Sequence, residues 1–126
     1  MNVPTNLKYT KDHEWLRIEG DTGWIGITDY AQAELGDIVF VELPTIGSKL
    51  EQGKAFGTIE AVKAVSDLYA PVTGEVVEVN KEVQDSPEVV NKEPYERGWM
   101  LKVKLTNPSE LGALLDVDAY KKLIGK

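Results

Sequence analysis

The chain has 126 residues, 42% of them hydrophobic and 28% charged, which suits one globular domain with a core of its own and argues against disorder. Its formal net charge of −7, from 21 acidic and 14 basic residues, opposes a phosphate backbone and excludes nucleic acid as a natural partner. There is no cysteine and one histidine, so disulfides, zinc thiolates and a thiol nucleophile are excluded and imidazole chemistry is left little room. No apolar window is long enough to span a bilayer, and MNVPTNLKYTKDHEW has neither a signal-peptide core nor an Arg-rich transit pattern. No membrane association and a cytoplasmic location are expected, although a mature organellar protein would read the same.

In chain order, EWLRIEGDTGWIGIT gives two alternating runs around the turn EGDTG, a hairpin in which Leu16 and Ile18 face Ile25 and Ile27. TDYAQAELG then has cap candidates in Thr28 and Asp29 and a stop in Gly36, which predicts a short helix near 29–35. From there strands dominate: GDIVFVELP at 36–44, ended by Pro44; a glycine-marked loop leading into TIEAV; AVSDLYAP; GEVVEVN; and GWMLKVKL. After Leu105, Asn107 before Pro108 reads as an N-cap with proline in the first turn, and DVDAYKKLIGK as a second short helix stopped by Gly125. The expectation is a single mainly β domain over 1–126 with a C-terminal helical extension at about 107–125.

GDIVFV at 36–41 and GEVVEV at 74–79 repeat one pattern at an offset of 38, and the same offset carries Gly53 onto Asn91. Both residue types enter left-handed backbone readily, so two similar β halves facing each other are expected. Lys63 falls in the connection between them. Most lysines are simply solvated, but this one has Val62 and Ala64 beside it, and regular β runs on either side. A tight hairpin at 62–64 would project it from a rigid support with room for a modifying enzyme, which suits acylation. His13, without a second histidine or a suitable nucleophile, reads as structural or surface. Trp15, Trp24 and Trp99 read as packing, and Gly36, Gly74 and Gly98 as turn and bulge residues.

HEW at 13–15, GIT at 26–28, LGDIVFVELP at 35–44, GTIEAVKAVSD at 57–67, APVTGEVVEVN at 70–80 and PYERGWMLKVKL at 94–105 together resemble the glycine cleavage system H proteins, within the biotinyl and lipoyl attachment domains. The resemblance covers nearly the whole chain. It departs in EAVKA, where Ala61 stands in place of a common serine; biotin carriers, with methionines around their lysine, fit less well.

The resemblance implies a flattened barrel-sandwich hybrid of two antiparallel sheets with Lys63 at a hairpin tip, carrying lipoic acid as lipoyl-lysine. It implies a non-catalytic, monomeric shuttle that takes the aminomethyl group from a pyridoxal-phosphate glycine decarboxylase to a tetrahydrofolate-dependent aminomethyltransferase. Its reduced arm would go to dihydrolipoyl dehydrogenase, and a lipoate ligase or lipoyl transferase would load it. Glu14 and Asp67 stand at positions associated with shelter of the loaded arm, with Asp12 a further acidic neighbour. A relay role, passing lipoyl or octanoyl groups to other complexes, would need the same Lys63.

Overall fold

The structure, a computed structural model, describes residues 2–125. The alternation of the first segments builds an antiparallel ladder of β1 (Lys8–Tyr9), β2 (Glu14–Glu19) and β3 (Thr22–Ile27). Leu16 sits opposite Ile25, and both are buried, as the period-two pattern demands. Thr28 then caps α1 (Asp29–Leu35), its hydroxyl accepting from the Ala31 amide at 3.1 Å, and Gly36 stops the helix with φ +82°.

The chain continues through β4 (Ile38–Glu42), β5 (Lys49–Leu50), β6 (Ala55–Ala61), β7 (Val65–Tyr69) and β8 (Gly74–Val79). Two short helices, α2 (Lys81–Asp85) and α3 (Val89–Lys92), precede β9 (Leu101–Leu105). The expectation that strands dominate from residue 36 to Leu105 missed these two helices. The tail forms a 3-10 helix, Pro108–Ala113, and α4 (Val117–Leu123). Asn107 makes no capping bond and instead accepts from the Ser109 hydroxyl at 2.6 Å; Asp116 caps α4.

The strands form two antiparallel sheets, one in the order β1-β2-β3-β9-β8-β5 and one in the order β4-β6-β7. The mainly β, two-sheet hybrid expected from the sequence is what forms, and the sheets do not close into a single barrel. Leu16, Ile25 and Val103 from the large sheet meet Val41, Ile59 and Leu68 from the small one in the main core. Tyr9, Trp15, Tyr95 and Tyr120 make a second cluster beneath the tail, where Tyr9 stacks on Tyr120 with centroids 4.5 Å apart.

The repeat is visible in three dimensions. β4 shifts register between Ile38 and Phe40, and β8 between Val76 and Glu78, the same positions under the offset of 38. The extension to Gly53 and Asn91 does not hold: Gly53 has φ +86°, whereas Asn91 lies in α3.

Gly57, at the bulge of β6, has the Glu42 carbonyl oxygen 2.1 Å from where a Cβ would stand. Gly57→Ala must therefore part β4 from β6. A loss of about 3 kcal/mol, or roughly 10 °C in Tm, is expected in thermal unfolding followed by circular dichroism. A shift within about 2 °C would show that the two strands separate freely there.

Candidate functional site

β6 and β7 form a hairpin with Glu60 paired to Val65, so Lys63 stands at its tip. Across the tip the Ala61 amide donates to the Ala64 carbonyl at 2.7 Å, and the Val62 amide donates to the Asp37 carbonyl at 3.0 Å. The second bond fastens the tip to the loop between α1 and β4. The Lys63 stem lies against Gly36, where an added Cβ would stand 3.3 Å from its Cε. Gly36 thus serves both a positive φ and close approach to the lysine.

Lys63 is exposed, and its neighbours Val62 and Val65 are 74% and 67% exposed. Phe40 shares a row with Glu60 and Val65 across the small sheet and is itself half-exposed. The lysine therefore rises from an apolar patch with acidic residues around it, Asp37, Glu42, Glu60 and Asp67 all being exposed.

Beside the hairpin, a cavity of about 160 Å³ opens between α1, β7 and the turn before β2. Its apolar wall includes Ile27, Leu35, Ile59 and Leu68; its polar wall includes Asp12, Glu14, Glu34 and Asp67. Glu14 and Asp67, singled out from sequence, are thus brought to one cavity, but in opposite states. Asp67 is exposed, whereas Glu14 is only 2% exposed.

The burial of Glu14 has local and distant supports. The chain turns at Thr10–Glu14, with the Thr10 amide donating to the Glu14 carbonyl at 3.0 Å and the Glu14 amide to the Thr10 hydroxyl at 3.1 Å. The Thr10 hydroxyl donates to Glu14 Oε1 at 2.5 Å, and the Tyr69 amide approaches Oε2 at 3.3 Å. Desolvation outweighs these hydrogen bonds and pushes the carboxyl up to about 8, so it holds its proton at neutral pH.

His13 closes the same turn with φ +70°, an uncommon conformation for a residue with a side chain. Its Nδ1 lies 2.9 Å from the Tyr120 hydroxyl, which also meets the Thr28 hydroxyl at 2.7 Å. Burial lowers the His13 pKa and raises that of Tyr120, so this junction between tail and cavity is held by neutral groups. Trp15 is buried and donates to the Pro94 carbonyl at 2.9 Å. Trp24 packs between Arg17 and Lys102, each 4.9 Å from its ring.

Sequence reasoning missed Thr10, whose only local signal is a hydroxyl four residues before Glu14. It also missed the α1 contribution to the cavity, Ala31, Glu34 and Leu35. Among the described residues no group of His, Asp or Glu is arranged to hold a metal ion, and no helix is long and apolar enough to cross a membrane.

Residues 7–126 match the family described as Glycine cleavage H-protein. The chain is 60% identical to the glycine cleavage system H protein of Staphylococcus carnosus over the full length of both. It is 56% identical to that of Bacteroides fragilis over 98% of each. Its fold superposes with a TM-score of 0.92 on the crystal structure of a glycine cleavage system H protein from Mycobacterium marinum, 39% identical, covering 98% of this chain and all of the other. Lipoyl carriage is the family's business, and the chain belongs to the glycine cleavage H-protein family.

Proposed function

We propose that Lys63 is the lipoyl attachment point and that the chain is the shuttle of the glycine cleavage system. In this role it moves the aminomethyl group from glycine decarboxylase to the tetrahydrofolate-dependent aminomethyltransferase and presents its reduced arm to dihydrolipoyl dehydrogenase. The supporting observation is the setting of Lys63: an exposed amine on a fastened hairpin tip, beside a cavity with an apolar wall. The chain acts as a monomeric carrier, loaded by a lipoate ligase or lipoyl transferase, and leaves catalysis to its partners.

Acylation of Nζ exchanges a strongly hydrated cation for a neutral amide, which lets the side chain lie along apolar surface. Lipoate bound there supplies the reversible disulfide chemistry that a cysteine-free chain lacks. Asp67 is four residues from Lys63 along β7, about 13 Å at ~3.3 Å per residue. An extended chain of about a dozen bonds spans roughly 15 Å, so the cavity is within reach. A larger cavity of about 290 Å³ lies around Tyr9, Gln52, Tyr69 and Pro71, adjoining the first through Asp12 and Glu14. Its wall at Ala70 is seven residues from Lys63, about 23 Å along an extended strand, so that part lies beyond the arm.

Within the nearer cavity, Ile59, Leu68 and Leu35 exclude water from whatever lies against them. Asp67 offers a carboxylate at the exposed wall, and Glu14 a proton that an arriving cation would displace. The apolar patch of Val62, Val65 and Phe40, with carboxylates around it, suits partners whose docking faces are apolar at the centre and basic at the rim.

Incubation with lipoate, ATP and a lipoate ligase should add one lipoyl increment, located at Lys63 by peptide mass spectrometry and absent in Lys63→Arg. An unmodified wild type, with a ligase active on another acceptor, would remove the proposal. Replacing both acids, Glu14→Gln with Asp67→Asn, should speed release of the carried aminomethyl group several-fold without changing lipoylation. An unaltered release rate would exclude them from the shelter.

Glu14 also predicts a pH dependence. Its folded pKa lies above the ordinary 4.5, so its contribution to stability is complete below that value and is lost as pH rises toward 8. In urea denaturation, Glu14→Gln should shrink the difference in stability between pH 5 and pH 8 by at least about 1 kcal/mol. An identical difference in both proteins would show that Glu14 titrates normally.

A further inference from the structure

The Asn91 side chain uses both its donors and its carbonyl oxygen on a segment more than fifty residues away. Its Oδ1 accepts from the Ile38 amide at 2.9 Å, and its Nδ2 donates to the Gly36 carbonyl at 2.9 Å and to Gln32 Oε1 at 3.0 Å. These bonds bracket Asp37, the residue whose carbonyl receives the Val62 amide next to Lys63, and they hold Gly36, against which the lysine stem lies. Asn91 is itself firmly placed, because Val89 and Val90 bury the preceding part of α3 in the main core.

We propose that Asn91 is a positioning residue for Lys63. It acts through the loop Gly36–Asp37–Ile38, which it fixes so that the hairpin tip is held in one place while the lysine stays exposed. The inference rests on the reading of Lys63 as the acylated residue and deepens it. The chemistry selects asparagine: the loop presents one donor and one acceptor, α1 adds a second acceptor in the Gln32 side chain, and a short planar amide matches all three. Ile38 is buried, so its amide would have costly company without the Asn91 oxygen. Aspartate would keep that acceptor and lose both donors; alanine would lose everything.

With the loop released, the tip would occupy its docking-competent position only part of the time. An enzyme that must grip the tip would then see a weaker apparent affinity in proportion to the lost population, with its chemical step unchanged. The effect therefore belongs in KM, and a general loss of stability would not produce it.

The test compares wild type, Asn91→Ala and Asn91→Asp by amide hydrogen exchange and by lipoate-ligase kinetics. In Asn91→Ala, exchange at Val62 and Ile38 should accelerate at least tenfold more than exchange in the large sheet. The KM for the carrier should rise five- to tenfold with kcat within twofold. Asn91→Asp, which keeps a partner for the Ile38 amide, should leave Ile38 protected and raise KM less; it also serves should the alanine variant fail to fold.

Val62 exchange that rises only in step with the large sheet would overturn the proposal, as would an unchanged KM once Val62 has been loosened. If wild type takes no lipoyl group at all, the attachment reading fails. The exchange contrast at Val62 then still decides whether Asn91 holds the tip.

Discussion

A single hydrogen bond, from the Val62 amide to the Asp37 carbonyl, reconciles two opposed demands on the small sheet. A lysine that is to be modified must stand clear of the body, yet a two-stranded tip with nothing against it is only marginally ordered in water. β7 is an edge strand, so sheet pairing restrains the hairpin from one side only. The bond to Asp37 carries the β4–β6 pairing, in which Ile38 sits opposite Ala61, one residue further into the tip. Backbone order and side-chain freedom are thereby separated, which is what presentation of a flexible arm from a rigid support requires.

The repeated half shows how this arrangement is built. In β4 the burial order is Ile38 in, Val39 and Phe40 out, Val41 in; in β8 Val76 is buried and Val77 and Glu78 are exposed. Each bulge turns two consecutive residues outward and bends its strand. In the first half the outcome is an apolar patch around Lys63. The second half departs where the symmetry would call for another turn: α2 and α3 occupy 81–92, and Asn91 reaches back to the loop of the first half. The less regular half supports the presenting one.

What the sequence disclosed followed the range of each signal. Leu16 against Ile25, the Thr28 cap and the Gly36 stop are local, and all three stand as read. The hairpin at 62–64 was legible because small residues interrupt two β runs. Two-residue strands such as β1 and β5, and helices of five and four residues, are too short for periodicity to register. Asparagine at 91 suits both a left-handed position and long-range hydrogen bonding, and the sequence does not distinguish them. The burial of Glu14 had no local sign either, since one of its partners, Tyr69, is 55 residues away.

The protonated state of Glu14 bears on how a carrier can hold a cargo and still release it. A permanently ionised carboxylate would bind a cationic group with the full strength of a partly desolvated ion pair, and release would be slow. With its pKa pushed up to about 8, Glu14 must first give up a proton, which costs on the order of 1 kcal/mol at pH 7. The coupling is reciprocal: the attraction that holds the cation is the same free energy that draws the Glu14 pKa down. On the proposed reading, retention would be weaker than with a carboxylate already ionised and would end with re-protonation when the cation leaves. In the proposed carrier, a buried acid that would be a liability in a purely structural wall becomes a counter-ion present only while the charge it answers is there.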